Sequence, residues 1–250
     1  LPGVTISAIS APGGLLAAAA ATTGADGTYA LAVPSGVALS LHVDAYAATG
    51  GKYAGARATA TVLPGQTLMV PFALNAAHTF PAGLQMLSAP YAYAAGDDLA
   101  ALFGLTPPLA AGGPRFAAWS PTLGGYLSYP TSPVNTLSAG RGYWARLPAP
   151  SYLHYDGPLV PPSAPFTITL SAGWNQIGDP FPLPVPLPMV TAGGLPLAAG
   201  APVSPTLYRY DTATGAYAAL NSASDALRPY TGYWIFAYQP TVLSLAPPGR

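Results

Sequence analysis

Few side chains in this sequence are equipped for chemistry. Its 250 residues hold eight aspartates, three histidines (His42, His78 and His154), no glutamate and no cysteine. General acid–base catalysis needs titratable groups positioned together, and these are widely scattered. Asp97-Asp98 is the only adjacent carboxylate pair, and its place ahead of Leu-Ala-Ala-Leu-Phe103 reads as the cap of one short helix, with Asp97 as N-cap. Asp26 and Asp211 stand in turn contexts. The histidines share no metal-ligand spacing, so a site made from them would require three distant stretches to converge. The lack of cysteine removes thiolate ligands and a thiol nucleophile. No Gly-x-Ser-x-Gly elbow, phosphate loop or dinucleotide fingerprint is present. The Gly-Gly pairs at Gly13, Gly50, Gly112, Gly124 and Gly193 read as turns. The expectation is a protein with no enzyme activity, no cofactor and no metal.

Aromatic rings are the other resource, with 16 Tyr, 7 Phe and 4 Trp. Trp144, Trp174 and Trp234 occupy anchor positions of a repeat and are expected in the core. Tyr126, Tyr129, Tyr208, Tyr210 and Tyr217 fall in hairpins. An exposed strip of Tyr208, Tyr210 and Tyr217 would stack on sugar rings, which makes a polysaccharide a candidate partner. The polar groups that usually hold sugar hydroxyls are thin here, and a protein-facing surface is the favoured reading.

The elements that must position these groups are constrained by composition. Hydrophobic residues make up 51% and charged residues 6% of the chain, against about 25% charged in ordinary domains. Seven arginines and Lys52 balance the aspartates to a formal net charge of zero. A basic nucleic-acid footprint is therefore excluded. Polar residues or prolines interrupt every apolar run well before ~18 residues, so no transmembrane helix is expected. The stretch Leu15–Ala21 is too short to span, and no basic segment precedes it as in a signal peptide. Pro 31 and Gly 28 together exceed a fifth of the chain, and two good helix formers, Glu and Lys, are nearly absent. A disordered chain would be charged and poor in aromatics; this one can bury a core. Low net charge also gives little protection against association. Two readings fit that surface: a genome biased toward Ala, Pro, Gly and Arg codons, or a subunit covered by its neighbours.

The first ~75 residues read as strands between turns. Val4, Ile6 and Ala8 alternate with Thr5 and Ser7. Asp26-Gly27 is a tight-turn signal before Tyr29, Leu31 and Val33 at period two. Pro34-Ser35-Gly36 turns the chain into Val37, Leu39, Leu41 and Val43. Arg57 to Leu63 and Leu68 to Leu74 flank Pro64-Gly65. Strands at this spacing suggest a sandwich. The residues Leu1-Pro-Gly-Val-Thr-Ile-Ser-Ala and Thr22-Thr-Gly-Ala-Asp-Gly-Thr-Tyr-Ala-Leu-Ala-Val-Pro-Ser-Gly36 resemble the carboxypeptidase regulatory-like family. That resemblance covers Leu1 to about Asn75 and implies a prealbumin-like (transthyretin-like) seven-stranded sandwich, non-catalytic and frequent in secreted and cell-surface proteins. The family pattern opens with a further strand, Ile-x-Gly-x-Val-x-Asp, ahead of the segment that begins here at Leu1. A start at Leu rather than Met leads us to expect a processed product or a piece of a longer chain.

The rest of the chain repeats itself. Ala82-Gly-Leu-Gln-Met-Leu-Ser-Ala-Pro-Tyr91 matches Ala172-Gly-Trp-Asn-Gln-Ile-Gly-Asp-Pro-Phe181, and Gly142-Tyr-Trp144 matches Gly232-Tyr-Trp234, at the same offset. Trp119, Gly124 and Tyr126 match Tyr210, Gly215 and Tyr217, one residue further on. Each unit reads as a strand, a variable loop, an aromatic hairpin, a Gly-Tyr-Trp strand and a closing strand. It resembles the Gly-Trp-Asn…Gly-Tyr-Trp repeats found toward the ends of bacterial secreted proteins. The alternating Phe181-Pro-Leu-Pro-Val-Pro-Leu-Pro188 is expected to be extended, at an edge or surface, and Pro158–Pro165 to be a linker.

The expected architecture is all-β: a prealbumin-like β-sandwich over 1–77 lacking its first strand, then two tandem β-rich repeat units over 78–160 and 161–250. Helix should be confined to Asp97–Phe103. The expected function is that of a non-enzymatic extracellular or cell-surface structural or adhesive protein of a bacterium, a self-assembling filament subunit. Its sandwich would leave a self-association groove at Val4, Ile6, Ala8, Tyr29 and Leu31. A neighbour's strand would complement it, either Thr241–Leu245 with Val242, Leu243 and Leu245, or residues upstream of Leu1. Leu243 matches Leu153 of the first repeat, which argues that this strand closes its own unit. The rivals are a carbohydrate-binding accessory module of a secreted bacterial hydrolase, and a domain cut from a larger enzyme.

Overall fold

The computed structural model describes residues 1–10, 19–93 and 97–249. The Gly13-Gly14 turn and most of Leu15–Ala21 lie outside the described residues. The fold is all-β: strands take 41% of the chain and helix 5%. The first strands are β1 (Thr5–Ser10), β2 (Ala19–Thr22), β3 (Ala38–Asp44), β4 (Ala56–Thr61) and β5 (Thr79–Phe80), with the single helical turn α1 (Ala45–Ala48) after β3. There follow β6 (Gly83–Leu87), the turn α2 (Leu99–Leu102), β7 (Arg115–Ser120), β8 (Gly125–Ser128), β9 (Tyr143–Leu147) and β10 (Ser151–Tyr152). The last part holds β11 (Phe166–Leu170), β12 (Gly173–Gly178), β13 (Val185–Pro186), β14 (Val190–Ala192), β15 (Leu195–Pro196), β16 (Leu207–Asp211), β17 (Ala216–Leu220), β18 (Ala226–Leu227), β19 (Gly232–Ala237) and β20 (Thr241–Leu245). No helix among the described residues is long and apolar enough to cross a membrane.

The chain forms two compact units. The first contains Leu1–Phe80 with Leu102–Gly104 and Ser151–Gly157; the second contains Pro81–Ala101, Leu105–Pro150 and Pro158–Arg250, most of both repeat segments. In the first unit one antiparallel sheet runs β2-β1-β3-β4. Ile6 stands opposite Val43 and Ala8 opposite Leu41, so the period-two apolar residues of both strands share one buried face. At the expected turn, the Asp26 carboxylate accepts hydrogen bonds from the Thr28 N–H (3.0 Å) and hydroxyl (2.8 Å), and Gly27 takes φ +81°. Two segments expected as strands, Tyr29–Val33 and Leu68–Leu74, form no ladder among the described residues. They lie as extended chain, with Tyr29, Phe72 and Leu74 packed against the Val4, Ile6 and Val43 cluster. The helical turn α1 was not anticipated. Its alanine-rich stretch favours helix locally, and the Thr49 hydroxyl donates to the Ala45 carbonyl at 2.7 Å.

In the second unit two sheets have the same construction, β6-β9-β7-β8 and β12-β19-β16-β17. Equivalent residues make equivalent bonds: the Ser138 N–H donates to Tyr143 Oη (2.9 Å) and the Arg228 N–H to Tyr233 Oη (2.8 Å). The sheets meet about a local two-fold relation. Leu87 bridges Thr231 while Arg141 bridges Ile177. The Ser88 N–H donates to the Tyr230 carbonyl (3.2 Å), and the Gly178 N–H to that of Gly140 (3.0 Å). The glycine of each Gly-Tyr-Trp sits at this contact. A Cβ on Gly142 would lie 2.6 Å from the Ile177 carbonyl oxygen, and one on Gly232 2.9 Å from that of Leu87. Glycine is needed there for close backbone approach.

Three expectations need correction. The short helix is a single turn, and the Ala101 N–H is taken by Asp98 Oδ1 (3.2 Å), so the capping carboxylate is that of Asp98. Phe181–Pro188 is not a surface strip throughout: Phe181, Val185 and Leu187 enter the core, and Val185–Pro186 pairs with Ala226–Leu227. Thr241–Leu245 is an inner strand, paired with β11 on one side and β14 on the other.

Candidate functional site

The titratable groups are dispersed. His42 Nε2 lies 2.9 Å from Ser40 Oγ, His154 stacks on Tyr46 at 4.1 Å, and His78 packs edge-on to Phe80 at 4.7 Å. Burial lowers the pKa of all three imidazoles, that of His78 to about 4. No cluster of three metal-ligating side chains occurs among the described residues. The most perturbed acid is one that sequence reasoning passed over. Asp179 is fully buried, with Oδ1 accepting the Phe181 N–H at 2.9 Å and Oδ2 without a hydrogen bond. Burial pushes it up to about 7, opposed by the Phe181 and Val185 N–H groups. The available signal was the repeat itself, which places Ala89 at the equivalent position.

The first unit carries an open groove of about 1150 Å³. Val4, Ile6, Leu41 and Val43 form its floor, and Tyr29, Leu31 and Phe72 contribute to its walls. Of the expected groove residues, Val4, Ile6, Tyr29 and Leu31 therefore come together, while Ala8 lies outside the lining. β1 is not an open edge, since β2 and β3 pair with it on both sides. The chain without a ladder belongs to Tyr29–Val33 and Leu68–Leu74. The Tyr29 hydroxyl reaches across to donate to the Val70 carbonyl at 2.8 Å. A whole tyrosine side chain plus a hydrogen bond thus separates the two backbones, well beyond the ~4.8 Å between paired strands. The expected donor, Thr241–Leu245, is already in use: Leu243 and Leu245 are fully buried in its own unit and only Val242 is exposed.

The second unit presents an aromatic face. Within each Gly-Tyr-Trp, alternation sends tyrosine and tryptophan to opposite sides of the strand. Tyr143 and Tyr233 are the fully buried residues, whereas Trp144 is half-buried and Trp174 is 42% exposed. Of the three tryptophans expected in the core, only Trp234 is buried, at 8% exposure. Trp119 packs edge-on to Trp234 (5.9 Å), and Trp144 likewise to Tyr210 (5.1 Å). A cleft of about 440 Å³ opens here, lined by Trp119, Tyr126, Trp174, Tyr208, Tyr217 and Trp234. Tyr208 and Tyr217 of the expected strip line it; Tyr210 packs between Trp144 and Tyr217 instead. Gln176 Oε1 accepts the backbone N–H of Trp119 at 2.6 Å. Next to Trp144 a further cavity of about 670 Å³ is lined by Arg115, Arg146, Tyr129 and prolines Pro107, Pro108 and Pro130.

Neither a family model, nor a curated protein, nor a solved structure matches this chain.

Proposed function

We propose that this is a non-enzymatic structural protein of an extracellular or cell-surface assembly, in which the first unit accepts a β-strand from a second copy. One observation carries the reading. Two segments with alternating burial and no ladder partner, Tyr29–Val33 and Leu68–Leu74, flank an apolar groove across which the Tyr29 side chain reaches the Val70 carbonyl. An incoming strand between them would satisfy backbone N–H and C=O groups on both sides and set alternate side chains against the half-buried Tyr29, Leu31 and Phe72, above the already buried Val4, Ile6 and Leu41. A five-residue apolar strand would remove a few hundred Å² from water; at ~25 cal/mol per Å² this is worth several kcal/mol, against the entropic cost of association. Head-to-tail repetition of such a contact builds a filament unless its rotation closes a ring. The near-absence of charge, 6% of residues, suits a surface covered by neighbours, and the dispersed histidines and aspartates fit a non-catalytic role.

The test is the state of association, followed by sedimentation and electron microscopy. The wild type should form concentration-dependent oligomers or filaments. Leu31→Asp, on the groove wall, should abolish them, while Ser35→Asp, exposed in the following turn and outside the groove lining, should not. A wild type that stays monomeric throughout the micromolar range, or a Ser35→Asp variant as defective as Leu31→Asp, would overturn the reading.

A further inference from the structure

We propose that the second unit binds an acidic polysaccharide, with Arg115 and Arg146 holding its carboxylates and the adjoining aromatic face stacking its sugar rings. This inference is independent of strand exchange in the first unit.

The chain has only eight basic residues, yet two of them stand directly opposite each other. Arg115 on β7 and Arg146 on β9 are register partners. Like charges in that position oppose the pairing of the strands. The cavity they line contains no carboxylate; its one phenol, Tyr129, carries its hydroxyl on Asp98 (3.0 Å). Arg115 Nη1 donates to the Ala110 and Pro114 carbonyls, both at 3.0 Å, which fixes the plane of that guanidinium. Arg146 is exposed, and its guanidinium has no hydrogen bond or ion pair among the described residues. One ordered fork beside one available fork is a fitting receptor for carboxylate, which arginine takes in a bidentate manner. With a net charge of zero, attraction for anions must come from local groupings of charge such as this one.

The choice of a sugar polymer comes from what adjoins the pair. Trp144 is two residues before Arg146 on the same strand face and also lines the cavity. From it the rings continue. Trp144 Nε1 donates to Tyr126 Oη (3.2 Å), Tyr126 meets Trp119 (5.2 Å), Trp119 meets Trp234 (5.9 Å), and Trp234 meets Trp174 (6.1 Å). Phe236 and Tyr238 extend the run at steps of 5.2 and 5.6 Å. Tyr126, Trp174 and Tyr238 are exposed along it. Successive rings meet edge to face, at 64–77°, so the sugar platforms are the exposed rings of the run, whose negative faces suit the C–H faces of sugars. A small anion would use the arginines and leave the strip idle. An acidic peptide would do the same, having no sugar ring to set on the exposed aromatics.

Affinity electrophoresis and calorimetry with polygalacturonate, dextran and poly-aspartate test this. The wild type should bind polygalacturonate at least tenfold more tightly than either of the others. Arg146→Gln should lose at least tenfold, whereas Arg228→Gln, the same charge change at an exposed site outside the cavity lining, should lose less than twofold. Tyr238→Ser, exposed at the far end of the strip, should weaken binding several-fold with the arginines intact. Absence of polygalacturonate binding, equal loss in Arg146→Gln and Arg228→Gln, or equal binding of poly-aspartate would each overturn the proposal.

Discussion

Replacing Asp179 by asparagine should reverse its effect between acid and alkaline solution. In the folded protein this carboxyl is fully buried and pushed up from 3.8 to about 7. In the unfolded chain it releases its proton near its ordinary value. Between those two pKa values the folded state holds a proton that the unfolded state has lost. Stability must therefore fall as pH rises from about 4 to about 7 and level off above. A shift of this size corresponds to about 4 kcal/mol at pH 8, an upper figure because water entry and local relaxation reduce it. Asparagine keeps an oxygen for the Phe181 N–H and cannot ionise, but its amide brings buried donors that cost about 1–3 kcal/mol if unpaired. Asp179→Asn is expected to be the less stable protein at pH 4 and the more stable at pH 8. The assay is urea unfolding at pH 4, 5, 6, 7 and 8 at fixed ionic strength, read as the difference between the two proteins. The difference matters because His78, lowered to about 4 by burial, works the other way. Its unfolded imidazole takes a proton at pH values where the folded one does not, so its contribution is lost as pH falls from about 6.5 toward 4. That contribution is common to both proteins and cancels. A stability difference that stays flat from pH 4 to 8 would refute the argument for a buried, high-pKa Asp179.

Other substitutions check the packing. Gly142→Ala and Gly232→Ala each place a methyl group against a carbonyl oxygen at the contact between the repeats, and each should cost about 1–3 kcal/mol in denaturant unfolding. Tyr143→Phe and Tyr233→Phe remove the acceptors of the Ser138 and Arg228 N–H groups and should each lower stability by about 1 kcal/mol, with unchanged far-ultraviolet circular dichroism. Leu243→Ala and Leu245→Ala should cost about 2–5 kcal/mol as buried cavities, while Val242→Ala, 46% exposed on the same strand, should stay within about 0.5 kcal/mol. Near-neutral behaviour of the two leucines would return Thr241–Leu245 to contention as an exchangeable strand.

Sequence alone determined the features that depend on local or periodic chemistry. Proline and glycine in place of Glu and Lys ruled out a helical protein. Period-two alternation located β1 and β3, Pro64-Gly65 marked the end of β4, and Asp26-Gly27 marked a turn that the Asp26 carboxylate then closes on Thr28. The equivalence of Gly142-Tyr-Trp144 and Gly232-Tyr-Trp234 was legible because two copies of one pattern were present in one chain. Tertiary structure decided what alternation leaves open. A strand carrying aromatics on both faces does not say which face is inside, and here the tyrosines went in while Trp144 and Trp174 stayed out. A ladder needs a neighbour at the right spacing, so Tyr29–Val33, apolar and alternating, is extended without being a paired strand. Whether Leu243 is a free donor or a core residue depends on β11 and β14, distant in sequence and adjacent in space. The opposition of Arg115 and Arg146, and the burial of Asp179, likewise come from register and packing between segments far apart in the chain. Those long-range pairings are set by which surfaces best exclude water together, a property of the assembled chain that no short stretch of residues carries.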